Sequence, residues 1–555
     1  MDKKTILAFA LSFVVLVGWS LFFSPEPKQP PAEKGSVAEN IQPLAPQDGK
    51  GPANIAAVPS AGALPPTKQP VIQREEKKIE IDTPFYKAVF SNIGPTIKSF
   101  QLKKYHQTTD PDSPFVELVT LEQGMGDYLT IQFDDSVAGG TSNTVFTVDK
   151  ESLKLNPESE PATIVFHGTS QNGIAITQTY RFFPDRYGID VAVTAANPTA
   201  IPVNGVFRTT LRAIPPNDKG SYYAYVGFAL LSNNKLEEME VEDPGEEESA
   251  RGDIGWVAYE DNYFITAVVP EIPAKGSFTG KRLTSGVLEG VFLPAPVSLQ
   301  PSTQATNQYQ LYLGPRELGI LKIFGKNLDR AIDFGWTDII AKPLLYILRF
   351  FDQYIHNYGV SIILLTILVK ALFWPLTHKS YKSMKEMQKL QPRMAKLREK
   401  YKGDKQKLNQ EMMGLYKTYK VNPMGGCLPM VVQIPVFFAL FRVLGACIEL
   451  RHAPFIFWIN DLSAPGRLFH FSFEIPFMTP PYGIPVLTLL MGASMFLQQK
   501  MTPTPGDPTQ AKIMMFLPVI FTFMFINFPS GLVLYWLVNN LLSIGQQYRI
   551  YKQPA

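Results

Sequence analysis

Two patterns of hydrophobic and polar positions divide this chain. From about Val71 to Arg316 the apolar positions alternate with polar ones over short runs, as in Ile79-Glu80-Ile81-Asp82 and Ile189-Asp190-Val191-Ala192-Val193. Gly, Pro, Asn and Asp clusters punctuate these runs at short intervals, the mark of strands and turns in an all-β sandwich. Elsewhere the apolar residues come in long unbroken runs: Ile6 to Phe23, Val360 to Leu376, Met430 to Ile448, Ile484 to Leu497, Met514 to Phe528 and Leu532 to Ile544. About 20 apolar residues cross the hydrocarbon of a bilayer as a helix. The pattern therefore predicts six transmembrane spans, the last two joined by a tight turn at Pro529-Ser530-Gly531, which interrupts the helix.

A third pattern repeats every three or four residues. Leu321, Phe324, Leu328 and Ile332 follow it, and a short apolar stretch from Pro343 ends near Tyr354. Neither is long enough to span, and both predict amphipathic helices lying in the membrane interface over 317–356. Met384, Met387, Leu390, Met394 and Leu397 share the period, as do Leu408, Met412 and Leu415 beyond Gly403-Asp404. A helical hairpin over 379–420 is expected.

Charge orients this plan. The segment 379–420 carries thirteen Lys and Arg, from Lys379 to Lys420, against Glu386, Glu399, Asp404 and Glu411. By the positive-inside rule it is cytoplasmic. Six spans then place both termini in the cytoplasm, and the region between the first two spans outside it. The expected organisation is an anchor over 1–23, a tether over 24–70, a β domain over 71–316, interfacial helices over 317–356, a second span over 357–378, the hairpin over 379–420, four further spans over 421–548, and a cytoplasmic tail over 549–555. The first run is also compatible with a signal peptide, but no A-x-A-like cleavage site follows Phe23 and an uncleaved anchor is expected. Residues 25–70, rich in Pro, Ala, Gly and Gln, bury too little apolar surface to fold alone. The acidic run Glu237 to Glu248 is expected to be a solvated loop. The net charge of +3 and the mean hydropathy of −0.01 over 555 residues only average these parts. Both cysteines, Cys427 and Cys447, lie in the second half, so the β domain has no disulfide framework.

One residue sits uneasily in this plan. Lys370 lies inside Ile362-Ile363-Leu364-Leu365-Thr366-Ile367-Leu368-Val369-Lys370. A lysine within a span costs roughly 2.5–3.5 kcal/mol on insertion scales, so it implies use or compensation. Snorkelling to the cytoplasmic headgroups is one reading. The other is a wet groove lined by polar groups: Thr366 four residues earlier, Gln433 beside Pro435, and Ser530, Asn539 and Asn540 in the last hairpin.

Other chemistry is harder to find. There is no phosphate loop, no H-E-x-x-H motif and no G-x-S-x-G elbow. The histidines, His106, His167, His356, His378, His452 and His470, have no ligand spacing. No metal, cofactor or enzymatic activity is expected. The competing readings are an intramembrane Ser/Lys hydrolase using Ser530 and Lys370, a solute transporter, and a periplasmic binding module on a passive anchor.

Over nearly its whole length the chain resembles the YidC family of membrane protein insertases. The resemblance rests on Thr366-Ile-Leu-Val-Lys370, Gln391-Pro392, Gln410-Glu-Met-Met413, Leu415-Tyr-Lys417, Val421-Asn-Pro-Met-Gly-Gly-Cys427, Gln433-Ile-Pro435, Trp458-Ile-Asn-Asp-Leu462 and Phe528-Pro-Ser-Gly-Leu-Val-Leu534. The anchor and large outer domain resemble the Gram-negative form. That form implies a β-supersandwich periplasmic domain and five core helices around a groove that opens to the cytoplasm and to lipid, in the bacterial inner membrane. The resemblance makes Thr366, Phe437 and Trp536 substrate-contacting positions, and with Lys370, Gln433, Ser530 and Tyr535 they form the expected groove set. The family usually has arginine where this chain has Lys370, so the charge is kept and the planar fork is not. Many relatives have two tyrosines where this chain has Tyr535-Trp536. The partners implied are nascent membrane proteins, the bilayer, the ribosome and the Sec translocon.

Overall fold

The computed structural model describes residues 76–552, apart from 123, 136–139, 142, 217–224, 420, 422–427 and 503–507. The apolar run Ile6 to Phe23 and the tether lie outside the described residues. Strands run from Lys78 to Pro315. Most join one antiparallel sheet, whose middle is the sequence of neighbours Ala274–Arg282, Glu247–Glu260, Phe264–Pro270, Gln304–Pro315, Gly188–Ala196 and Ala175–Phe182. A smaller sheet of Phe115–Glu117, Thr96–His106, Tyr86–Ser91, Lys78–Asp82 and Ser152–Lys154 covers one part of it.

The alternation read in the sequence is what lets the two sheets pack. Ile79 and Ile81 are fully buried while Lys78 and Glu80 face solvent. Ile189, Val191 and Val193 likewise point inward along Gly188–Ala196. The rings of the small sheet meet those of the large one edge-on: Phe90 stands 5.2 Å from Tyr180 and 5.8 Å from Phe182. Edge-to-face contact suits the ring quadrupoles and adds to the burial of large apolar area. Within the large sheet Gly290 leaves room for the edge-on pair Phe228 and Phe278, since a Cβ there would stand 2.6 Å from the Phe278 ring. The acidic run 237–248 is only partly a loop. Lys235–Met239 and the start of Glu247–Glu260 are strands, because Leu236, Met239 and Val241 supply apolar positions between the carboxylates.

Buried charges join this domain to the helices beyond it. Arg316 stands 3.2 Å from Glu260, both buried, and donates to the Ala331 carbonyl at 2.6 Å. Burial pushes the Glu260 carboxyl up to about 7, against the attraction of Arg316. Desolvation therefore outweighs the ion pair here. Arg349 pairs with Glu317 at 2.7 Å and Glu449 at 3.6 Å. Asn262 donates to the Gly445 carbonyl, and Arg451 to that of Gln107. Trp256, fully buried in the sheet, donates to the Asn327 carbonyl.

Helix α1 is Leu318–Phe324 and α2 is Asp338–Ile355. The periodicity that joined Phe324 to Leu328 and Ile332 does not form one helix. Gly325 (φ 84°), Lys326 (φ 54°) and Asn327 (φ 59°) turn the chain, and only a short 3-10 segment, Leu328–Ala331, follows. Helix α2 buries Ala341, Leu344, Leu345 and Leu348. It leaves Ile339, Tyr346, Phe350 and Tyr354 exposed on its other side.

Helix α3, Tyr358–Leu372, is capped by the Asn357 side chain, which accepts from the Val360 amide at 3.0 Å. It ends at Phe373. Helix α4, Trp374–Lys400, leaves at 65° to it. The bend falls there because Pro375 opens α4: its ring fixes φ and removes an amide donor. The apolar run expected to reach Leu376 is thus cut at Phe373, and the basic hairpin starts there and not at Lys379. Its second arm is α5, Lys405–Thr418, capped by Asp404 at the expected Gly403-Asp404 break. Leu390, Met394 and Tyr416 close a small core between the arms. The remaining helices are α6, Leu428–Ala446; α7, Val486–Met501; α8, Pro508–Met524; and α9, Ser530–Lys552. Helix α9 packs against α3, α4, α6, α7 and so stands at the centre of the bundle.

No single helix among the described residues is both long and apolar enough to pass as a span; only the bent pair α3 and α4 does. The reason is visible in α9. Its 23 residues rise about 34 Å, enough to cross, but one of its faces is polar.

Candidate functional site

That face gathers Asn539 and, one, four, seven and eight residues further along α9, Asn540, Ser543, Gln546 and Gln547. Such spacing puts them on one side of a helix. The side is turned inward: Asn540, Ser543, Gln546 and Gln547 are each at most 4% exposed. Polar groups held away from water must find partners. Asn540 donates to Ser494 of α7 at 3.1 Å, and Gln546 exchanges hydrogen bonds with Thr377 of α4. Gln547 donates to the Met501 carbonyl at 2.9 Å.

Lys370 joins this seam from α3. Its ammonium donates to Ser543 Oγ at 2.6 Å and to Asn539 Oδ1 at 3.4 Å. Gln433 of α6 donates to the same Asn539 oxygen at 3.1 Å. The side chain of Lys370 is 7% exposed, so its nitrogen points into the bundle and does not snorkel away from it. No carboxylate lies within ion-pair distance of it among the described residues. A cation so placed keeps its field for a third party. Two neutral oxygens solvate it and do not cancel its charge.

Thr366 sits one turn before Lys370, buried, with its hydroxyl donating to the Ile362 carbonyl at 2.6 Å. That bond is internal to α3, so Thr366 offers the seam a methyl and an accepting oxygen. Phe437 of α6 and Trp536 of α9 meet edge-on at 4.7 Å. Phe525 lies 4.9 Å from the same indole. Tyr535 is buried on α9 beside Gln433. Lys370, Gln433 and Asn539 are therefore one hydrogen-bonded group, with the Phe437–Trp536 pair on the same two helices, α6 and α9.

Ser530 is placed elsewhere. It opens α9 and its hydroxyl donates to the Ala464 carbonyl at 2.8 Å. Along the helix it lies about 20 Å from Ser543, too far for any dyad with Lys370. Its task is local: it ties the start of α9 to the loop before α7, where a Cβ at Gly466 would stand 2.8 Å from its oxygen.

Ser543, Gln546, Gln547, Thr377 and Ser494 escaped the sequence reading. The signal was present as a polar period of three and four within Asn539 to Gln547. It was hidden because the apolar run ends at Ile544 and the last two polar residues, Gln546 and Gln547, resemble a solvated helix end.

The outside of the bundle is the reverse of its inside. Leu489, Leu490, Phe496 and Leu497 on α7 are exposed, as are Phe516, Ile520 and Phe523 on α8 and Ile367 and Leu368 on α3. Exposed contiguous apolar surface around a polar interior is the arrangement that a hydrocarbon solvent favours.

Comparison with known proteins matches both halves. The family model described as 60Kd inner membrane protein matches residues 350–555, and that described as YidC periplasmic domain matches residues 78–347. The chain is 45% identical to the membrane protein insertase YidC of Syntrophus aciditrophicus, with all of both chains covered. It is 41% identical to the protein of the same name from Syntrophobacter fumaroxidans, over 99% of each, and 42% identical to that of Pelobacter propionicus, over 100% of this chain and 99% of that one.

Proposed function

Because the chain belongs to the YidC family of membrane protein insertases, we propose that it hosts the polar segment of a client on the seam at Lys370 while the client's apolar segment moves into lipid. The family is one of inner membrane proteins with a periplasmic domain that is largely β-sheet. In the proposed topology α3, α6, α7, α8 and α9 join the N-terminal run as six spans. The β domain is periplasmic, and the basic hairpin of α4 and α5 is cytoplasmic along with both termini.

A client emerging from the ribosome meets the basic hairpin first. Its polar or acidic outer segment then replaces Asn539 or Ser543 as the partner of the Lys370 ammonium. Its apolar segment passes over the Phe437–Trp536 side of α6 and α9 and out past the exposed faces of the bundle. Transfer of about 20 apolar residues from water to hydrocarbon supplies the free energy. The seam supplies partners for polar groups on the way, which lowers the barrier that bare lipid would impose. The membrane potential favours export of acidic segments further. No bond is made or broken, so no nucleophile or cofactor is needed. The same seam serves alone, beside the Sec translocon, or as a chaperone for helices that the translocon releases.

The observation that carries this reading is the Lys370 ammonium held by Ser543 and Asn539 with no carboxylate against it among the described residues. A buried ion pair would hold its own anion far more tightly than a passing one. The test is insertion of a single-span client with an acidic outer segment. Lys370→Glu is expected to lower insertion at least about tenfold, the loss of about 1.4 kcal/mol in a barrier. Lys370→Arg is expected to retain insertion. Normal insertion by Lys370→Ala would remove the charge from the account.

A further inference from the structure

The connection between α6 and α7 carries an array of exposed rings that packing within the chain does not explain. Phe457, Phe469, Phe473 and Phe477 are 85%, 68%, 63% and 88% exposed. Three of them, Phe457 (φ 56°), Phe469 (φ 55°) and Phe477 (φ 65°), have left-handed backbone, which bulky side chains rarely adopt. Strain of this kind persists only where surrounding structure enforces it, and it gathers at functional sites. The enforcing contacts are clear at Phe477. Asn527, in the turn between α8 and α9, donates to the Phe477 carbonyl at 2.9 Å and accepts from the Thr479 amide at 2.9 Å. Arg467 donates to the same Asn527 oxygen, and Leu468–His470 pairs with Gly483–Ile484 to close the hairpin. The backbone is pinned while the ring is turned outward. At the other end, Phe457 stacks on Trp458 at 6.0 Å, and Phe473 lies parallel to Phe471 at 5.2 Å.

We infer that this loop is a lipid-seeking crown: Phe457, Phe469, Phe473 and Phe477 insert into the interface of the outer leaflet and fix the depth of the bundle there. Lipid is the occupant because the crown continues a surface that lipid already covers in the proposed topology. The loop enters α7, which exposes Leu489 and Leu490 near its start, and follows α6, which exposes Phe438 and Ile434 about two and three turns before its end. Aromatic rings at the ends of spans favour the headgroup level of a bilayer. The hairpin also rests on the turn that joins α8 and α9, so its depth is transmitted through Asn527 to the helix that carries the polar seam.

The inference rests on the bundle crossing a bilayer, and the experiment separates the two. The full chain, with Cys427→Ser and Cys447→Ala, is reconstituted in phospholipid vesicles. Nitroxides are attached in turn at Phe457→Cys, Phe473→Cys and Phe477→Cys. Controls are Leu490→Cys on the exposed face of α7 and Ile201→Cys on the β domain. Power saturation then compares collision with oxygen, which enriches in lipid, and with a water-soluble nickel chelate. The expected ratio of oxygen to nickel accessibility at the crown sites is at least roughly threefold that at Ile201, approaching that at Leu490. Crown sites that match Ile201 while Leu490 reports lipid would overturn the crown and leave the bilayer reading intact, and would point to a protein or to solvent as what the rings face. A Leu490 site that also matches Ile201 would overturn both.

Discussion

The β domain and the helical bundle solve opposite solvation problems with one chain. In the β domain large side chains such as Trp256, Phe228 and Phe207 are inside, and most charges, with Glu260 and Arg316 as exceptions, are outside. In the bundle Gln546, Gln547, Ser543 and Lys370 are inside, and phenylalanine and leucine face out. Water drives the first arrangement by expelling apolar area. Hydrocarbon permits the second, because polar groups there can be satisfied only by each other. A buried polar residue is a cost in one region and, in the proposed function, the working surface of the other.

The sharpest break in this comparison comes from the β core. Trp256→Ala removes a fully buried indole and its bond to Asn327. It should destabilise the β domain by about 3–5 kcal/mol, read as an early unfolding transition or as proteolysis within 78–315. Next is a matched pair on the two surfaces. Leu490→Arg on α7 should cost about 3 kcal/mol of bundle stability in vesicles, because it places a charge against hydrocarbon. Ile201→Arg on the β domain, at a still more exposed position, should change stability by less than about 0.5 kcal/mol. Equal costs at the two sites would remove the inside-out distinction.

The third prediction concerns pH. Burial raises the Glu260 carboxyl to about 7 in the folded chain, above the ordinary glutamate value of 4.5. Between these values the folded state holds a proton that the unfolded state has released, so stability falls as pH rises toward 7 and is flat beyond it. The loss from pH 5 to pH 8 should be on the order of a few kcal/mol. Glu260→Gln should flatten that part of the thermal-stability profile. The smallest effect is expected at the seam. Ser543→Ala removes one partner of Lys370 and should cost about 1 kcal/mol of stability. It leaves the charge in place, so insertion of acidic clients should persist, in contrast to Lys370→Glu.

How much of this was legible in the sequence follows the same division. Alternation at Ile79 to Asp82 and Ile189 to Val193 marks strands because each side chain flips faces, and the structure has strands at both. Sheet order and the pairing of distant segments such as Val203–Ala213 with Leu129–Asp135 leave no local trace. The insertase reading was legible because its motifs are local, and the relatives carry the same name. Lys370 was legible as a charge among apolar residues. Its partner Ser543 was not, since a serine near a helix end is ordinary until tertiary contact brings it 2.6 Å from an ammonium. Ser530 illustrates the converse: it belongs to a recognisable motif, yet its bond to Ala464 gives it a structural task. The bend at Phe373 was written in Pro375, but hydropathy alone runs through it.

The central claim is that a client's polar segment passes through the interior seam beside Lys370. It is tested most directly by photoreactive side chains at Thr366 and Trp536, with a third at Ile201, in full-length protein presented with a ribosome-bound nascent membrane protein. The account predicts adducts from Thr366 and Trp536, centred on the client's polar flank and lost in Lys370→Glu, and none from Ile201. Efficient insertion with no adduct at either seam position would contradict it.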